Sequence, residues 1–138
     1  MWYYSLMDIH LLIQYWEKSS ENDFSVAQDL FKSKKYSYAL FFCHLSLEKL
    51  LKCFIVQYTK KPAPLEHNLV RLAKDAGFAL SDEQKDLLAE ITTFNIKARY
   101  DDYKTNFYKK ATRTYAQGYI NETKNLIIWL KKNYPNLS

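Results

Sequence analysis

The chain predicts an all-α fold, specifically an antiparallel up-and-down four-helix bundle with an additional short helix in the central crossover, and three observations lead there. Two glycines and three prolines are too few turn-formers for a β chain of 138 residues. Apolar residues recur three and four apart over long stretches, the spacing of one helix face. Tyr38 to Lys52, YALFFCHLSLEKLLK, is apolar on nearly every side of a helix and yet carries Glu48 and Lys49 in its middle. A surrounded helix makes such charges costly unless they are paired or reach water through a gap, so this segment is expected at the centre of the core.

The first helix is expected from about Met7 to Lys32, with Leu12, Tyr15, Trp16, Phe24, Ala27, Leu30 and Phe31 facing inward. Its weakest stretch is Ser19 to Asp23, where short polar side chains compete for backbone hydrogen bonds. The second runs from about Lys35 to Tyr58, with Ser33 as a candidate cap, and is stopped by Lys60-Lys61-Pro62-Ala63-Pro64. Its neighbouring stripes Ala39-Phe42-Cys43-Ser46-Leu50-Cys53 and Leu40-Leu47-Leu51-Phe54 let it touch more than one other helix. A short helix from His67 to Ala76 ends at Gly77, a residue that takes the left-handed terminal geometry cheaply. Ser81-Asp82-Glu83-Gln84 has capping-box spacing and opens a helix carrying Leu87, Leu88, Ile91, Phe94 and Ile96 inward, which ends near Arg99. The last helix is expected from about Lys109 to Lys132, with Tyr115, Tyr119, Ile120, Leu126, Ile127 and Leu130 inward and Asn133 and Pro135 marking its end.

The length suits a single helical domain over residues 1–138, with no staple required. Cys43 and Cys53 both lie in the apolar stretch and read as reduced core residues. The N-terminal run MWYYSLMDIHLLIQYWEKSS has no basic leader and is interrupted by Asp8, His10, Gln14 and Glu17, so neither a signal peptide nor a membrane span is expected and the location is expected to be cytoplasmic. Twenty Lys and Arg against fifteen Asp and Glu give a net charge of +5, which favours encounters with nucleic acid or an acidic protein without choosing between them.

Helical spacing puts His44 and Glu48 one turn apart and Lys52 one turn further, a polar ladder that would hold His44 in one tautomer or satisfy Glu48. His67, beside Glu66, would hydrogen-bond the crossover to the bundle. Histidines at 10, 44 and 67 form no paired ligand motif, and the two glycines form no phosphate loop, so no metal and no cofactor is expected. The densest polar and aromatic tract runs from Lys97 to Lys110. Lys97 and Arg99 there suit exposed carbonyls at a helix end. Alternatively, Arg99, Lys104, Lys109 and Lys110 would hold phosphates while Tyr100 and Tyr103 stack on bases, or the tract would form a protein interface.

Ala27-Gln28-Asp29-Leu30, Tyr38-Ala39-Leu40-Phe41-Phe42 followed by Leu47-Glu48-Lys49-Leu50-Leu51-Lys52, then His67-Asn68-Leu69 with Leu72, and Arg99-Tyr100 form an ordered set of landmarks. In the order and separations of these landmarks the chain resembles the small prokaryotic HEPN-domain proteins. The resemblance implies an antiparallel helical bundle that works as a homodimer, with a small nucleotidyltransferase or RNA or nucleotide as partner and no membrane, in a toxin-antitoxin or related defence system. It also implies, as the enzymatic alternative, a metal-independent endoribonuclease whose composite site at the dimer interface uses an arginine and a histidine in an R-x4-6-H pattern. Arg99 matches the arginine, whereas residues 104 to 106 are Lys, Thr and Asn. In such a reaction Arg99 would stabilise charge on the scissile phosphate and Tyr103 would help orient the substrate, although a tyrosine is a poor unaided base near neutral pH. A non-catalytic structural or protein-interaction bundle is the remaining alternative.

Overall fold

The computed structural model describes residues 5–134, which form an all-α bundle of six helices: α1 (Leu6–Lys32), α2 (Tyr36–Thr59), α3 (Leu69–Asp75), α4 (Asp82–Lys97), α5 (Asp101–Lys110) and α6 (Arg113–Lys132). The antiparallel up-and-down four-helix bundle with one short crossover helix is therefore corrected. The tract between Arg99 and Lys109, placed in no expected helix, is the helix α5, and Lys109, expected to open the last helix, lies in the last turn of α5 instead. Only Phe107 and the following Ala111 bury apolar surface there, too sparse a stripe to read by periodicity. Docking stabilises this short helix: the Phe107 ring lies 5.4 Å from that of fully buried Phe94 on α4.

Local chemistry sets the helix ends. The Ser5 hydroxyl accepts from the Asp8 amide at 3.1 Å and the Asp8 carboxylate accepts from the Ser5 amide at 3.4 Å, a capping box that starts α1. Ser33 follows α1 at its C-terminal end and does not cap α2, whose N-cap is Lys35 without a side-chain bond. Lys34 and Lys60 take left-handed backbone at φ 63° and 58°, one in the α1–α2 turn and one closing α2 before Pro62. Asn68 accepts from the Arg71 amide to open α3, and Gly77 at φ 88° closes it while the Phe78 amide reaches back to the Ala73 carbonyl at 3.0 Å. Ser81 and Gln84 form the second capping box, opening α4. Thr112 accepts from the Tyr115 amide at 3.2 Å to open α6. Asn133 is the C-cap of α6, and Pro135 lies outside the described residues.

α2 packs against α1, α3, α4, α5 and α6. It runs antiparallel to α1: the Cys53 thiol donates to the Ile13 carbonyl at 3.6 Å, Ser46 meets Ser20, and Ala39 packs with Ala27. The polar stretch Ser19 to Asp23 does not break α1, because α2 supplies its partners. Ser20 Oγ donates to the Ser46 carbonyl at 2.7 Å and Ser46 Oγ donates to the Ser20 carbonyl at 2.9 Å, each worth about 1 kcal/mol when buried. Asp23 sits 2.6 Å from Lys49, which accounts for that lysine in an otherwise apolar segment. Tyr15 and Ile96, expected inward, are exposed, since α1 and α4 each bury a narrower stripe than the chain's apolar residues suggest. Cys43 and Cys53 are buried free thiols, and burial pushes them up to about 12 and about 11 respectively, so neither is a thiolate at neutral pH. Among the described residues no helix is long and apolar enough to cross a membrane.

Phe94 ties α4 to two later helices, through Phe107 of α5 and Tyr119 of α6 at a centroid distance of 5.1 Å. Phe94→Ala is expected to destabilise the fold by about 3–5 kcal/mol. Urea unfolding followed by circular dichroism measures this, and a loss below about 1 kcal/mol would mean that α5 and α6 are held by something else.

Candidate functional site

Arg99 lies in the break between α4 and α5, where its amide and that of Tyr100 both reach the Ile96 carbonyl at 3.1 Å. Its guanidinium donates through one nitrogen to the Asn95 side-chain oxygen at 3.2 Å, a single contact that orients a five-donor group and leaves it exposed. Tyr100 is the N-cap of α5 and makes no side-chain cap. Tyr100, Lys104 and Tyr108 stand four residues apart along α5 and so share one stripe, and all three are exposed. Tyr103 and Lys109 are exposed as well.

Lys110 is drawn the other way. Its ammonium lies 3.6 Å from the Glu90 carboxylate of α4 and 5.3 Å from the centroid of the Tyr115 ring of α6. Lys97 approaches the same carboxylate at 3.8 Å, and the Tyr115 hydroxyl donates to it at 3.2 Å. Lys97 and Lys110 therefore pair with Glu90, Lys110 linking α5 to the bundle from the surface, while Arg99, Lys104 and Lys109 face water. The Tyr115 phenol is pushed above its ordinary value, first by burial and then by neighbouring Tyr119 and Glu90, which keeps its donor proton in place.

The tertiary structure adds residues that motif reasoning missed. Tyr108 lines a cavity of about 360 Å³ together with Lys34 and Lys35 of the α1–α2 turn, Tyr38 and Phe42 of α2, and Leu30 of α1. The run Lys32-Ser33-Lys34-Lys35-Tyr36-Ser37-Tyr38 was the available signal, a second basic and aromatic tract. Arg99 at one end of α5 and this cavity at the other span roughly 15 Å at 1.5 Å per residue.

His44, Glu48, Lys52 and His67 meet in a separate cluster on α2. The Glu48 carboxylate is 93% removed from solvent by the measure of its side chain, being only 7% exposed. One oxygen lies 2.8 Å from His67 Nδ1 and the other 3.2 Å from Lys52 Nζ. A carboxylate only accepts, so His67 carries its proton on Nδ1 and the ring, 59% exposed, is held from one side. His44 is fully buried and its Nε2 lies 3.0 Å from the His67 carbonyl, so Nε2 donates, while Nδ1 has no partner. Burial holds the His44 pKa below the ordinary imidazole value, outweighing the opposing pull of the His67 carbonyl and Glu48, and the 3.8 Å approach to Glu48 is thus that of a neutral ring. Lys52 also lies over the Trp16 ring at 5.4 Å.

Among the described residues no hydrogen bond or ion pair joins Arg99 to His44 or His67. Nor do three or more His, Cys, Asp or Glu side chains there converge as metal ligands. Chemically, the Glu48 cluster fastens the crossover, whereas the α5 corner offers cations and aromatic faces to a ligand.

Comparison with protein families matches residues 13–133 to the HEPN domain. Comparison with curated proteins and with solved structures returns no match.

Because unfolded His44 binds a proton at pH values where the buried ring does not, stability is expected to fall as pH drops below about 6.5, with a limiting slope of roughly 1.4 kcal/mol per pH unit. His67, Glu48 and Lys52 are the ionisable groups facing that ring. Chemical denaturation between pH 7.5 and about 5 tests this, and His44→Gln is expected to flatten the acid limb. An equally steep limb in the variant would assign the proton uptake elsewhere.

Proposed function

The chain belongs to the HEPN domain family, and on that premise we propose that it is a HEPN-domain module that binds RNA through the α5 corner. We further propose that it works as a homodimer beside a small nucleotidyltransferase partner in a toxin-antitoxin or defence system. The observation that carries RNA binding is the cavity in which Tyr108 of α5 meets Lys34, Lys35 and Tyr38. It extends the Arg99, Tyr100 and Lys104 tract into a strip with cations at both ends and tyrosine faces along it. Such a strip suits a single strand: ammonium and guanidinium groups follow the phosphates and tyrosines stack on unpaired bases without requiring a sequence. Homodimer formation and the nucleotidyltransferase partner rest on family membership alone.

Binding rather than cleavage fits the residues around Arg99. Lys104, Thr105 and Asn106 occupy the positions at which a histidine would complete a catalytic pair with that arginine, and all three are exposed polar side chains on α5. A guanidinium there can hold a phosphate, and nothing in that stretch has a proton affinity suited to activating a 2′-hydroxyl at neutral pH.

A fluorescent single-stranded RNA pool titrated in chelator is expected to bind with an affinity that falls as salt rises. Arg99→Ala and the pair Lys34→Ala with Lys35→Ala should each weaken binding and shallow the logarithmic salt slope by about 0.7 per lost phosphate contact. Binding that ignores all three substitutions would remove the strip from consideration. Cleavage of the RNA that disappears in Arg99→Ala would replace binding with ribonuclease chemistry. Solution mass at micromolar concentration, and recovery of a nucleotidyltransferase from the native cell, test the two association claims separately.

A further inference from the structure

α4 and α6 both pack on α2 and meet one another where Phe94 and Glu90 of α4 touch Tyr119 and Tyr115 of α6, and alongside that contact lies an open groove between them of about 840 Å³. Its lining follows α6 from Thr114 to Trp129, about 22 Å at helical rise, and α4 from its cap Ser81 to Leu87. Leu87, Leu126 and Trp129 give it an apolar floor, with the Tyr115 and Tyr119 rings beside them. Ser81, Gln84, Thr114 and Asn125 line it as well, and an elongated trough between two helices with an apolar floor and polar sides has the shape that accepts an amphipathic third.

Two observations say what that third helix is like. The first is charge. On a chain of net charge +5, the groove's charged lining residues are Glu83 and Glu122, with no Lys or Arg among them. The nearby cations Lys97 and Lys110 are drawn to Glu90, and among the described residues neither Glu83 nor Glu122 takes part in an ion pair. The second is Gly118, in the middle of α6 and on the groove wall. A Cβ built there would meet nothing within 4 Å, so the chain's own packing does not require glycine, although glycine weakens a helix relative to alanine. Its absence of side chain keeps the backbone approachable from the groove side, where a partner helix would sit.

We propose that the α4–α6 groove docks a cationic amphipathic helix of a partner protein, with Gly118 as the point of closest approach and Glu83 and Glu122 pairing with its basic residues. The same face of a second copy is a poor occupant. A two-fold contact would set the acidic groove of one copy against that of the other, and like charges facing each other across an interface are repulsive. The groove is distinct from the α5 corner, since none of Arg99, Tyr100, Lys104 and Tyr108 lines it.

The test uses a fluorescein-labelled synthetic helix with leucines at i, i+3, i+4 and i+7 and lysines elsewhere, titrated against the full chain by anisotropy, beside a counterpart with glutamates in place of the lysines. Recognition through apolar area and charge does not depend on a particular sequence, so the lysine peptide is expected to bind saturably and the glutamate peptide to bind far more weakly. Gly118→Leu, which fills the trough, and Glu83→Lys with Glu122→Lys, which reverses its charge, should each weaken the lysine peptide by about tenfold or more. Gly118→Ala should raise the thermal midpoint, showing that glycine is not there for stability. Arg99→Ala should leave peptide binding unchanged, which separates this groove from the RNA strip. Should Gly118→Leu fail to fold, the charge-reversal pair carries the test. No binding of the lysine peptide up to millimolar concentration, equal binding of both peptides, or indifference to the groove substitutions would overturn the proposal. So would a change in solution mass caused by the charge reversal, since that would make a second copy the occupant.

Discussion

Charge compensation inside α2 is the constraint on which the rest of this structure depends. A helix that touches every other helix of the described chain must be nearly dry, and yet it carries Glu48, Lys49 and Lys52. Each finds a partner by a different route: Glu48 and Lys52 take one another, Lys49 takes Asp23 of α1, and Glu48 also takes His67 from the crossover. An unpartnered charge at such a depth would cost several kcal/mol, so the register of α1 and the path of the 60–68 connection are both set by where those partners must stand. His44 belongs to the same arrangement, since its Nε2 holds the backbone of His67 while the side chain of His67 holds Glu48.

Fastening the crossover at His67 has consequences further along. α3 starts immediately afterwards from Asn68, and the Leu69 amide donates to the Thr92 hydroxyl of α4 at 3.0 Å, which joins the crossover to α4. α4 in turn presents Phe94 to α5 and Glu90 to α5 and α6. The two surfaces proposed for binding are products of this sequence of attachments. α5 is held by Phe107 and Lys110 with its basic stripe outward, and α4 and α6 share α2 as a floor and meet at Phe94 and Tyr119, leaving an open groove alongside. One surface is cationic and aromatic and the other is acidic with an apolar floor, a separation that would keep the proposed anionic strand and cationic helix on different parts of the molecule.

Much of the fold was legible because the signals were local. Ser81 with Gln84, Gly77 after Ala76, and the Lys60 to Pro64 stop are each decided within a few residues, and the helix ends fall beside them. The misjudged elements were those whose stability comes from elsewhere in the chain. Ser19 to Asp23 looked weak because serines and aspartate compete with the backbone in isolation, whereas in the bundle Ser46 hydrogen-bonds Ser20 and the charge of Lys49 lies beside Asp23. The helix α5 was invisible because its apolar stripe is Phe107 and little more, and the ring that stabilises it, Phe94, is distant in sequence. Within the proposed strip, Arg99, Tyr100 and Lys104 stood out as a tract, while Lys34, Lys35 and Tyr38 joined them only through the cavity that Tyr108 completes.

By itself the sequence determined the helical class, the places where most helices begin and end, the HEPN likeness, and the fact that buried charge on α2 would need partners, since period, capping and composition act over one or two turns. Only the tertiary structure decided which partners those charges take, that a sixth helix carries the basic stripe, and that Lys110 pairs with Glu90 while Lys104 and Lys109 take no such partner among the described residues. These depend on distances between residues far apart in the chain, and such distances are set when the helices pack, as the sum of many contacts that no short window of sequence contains.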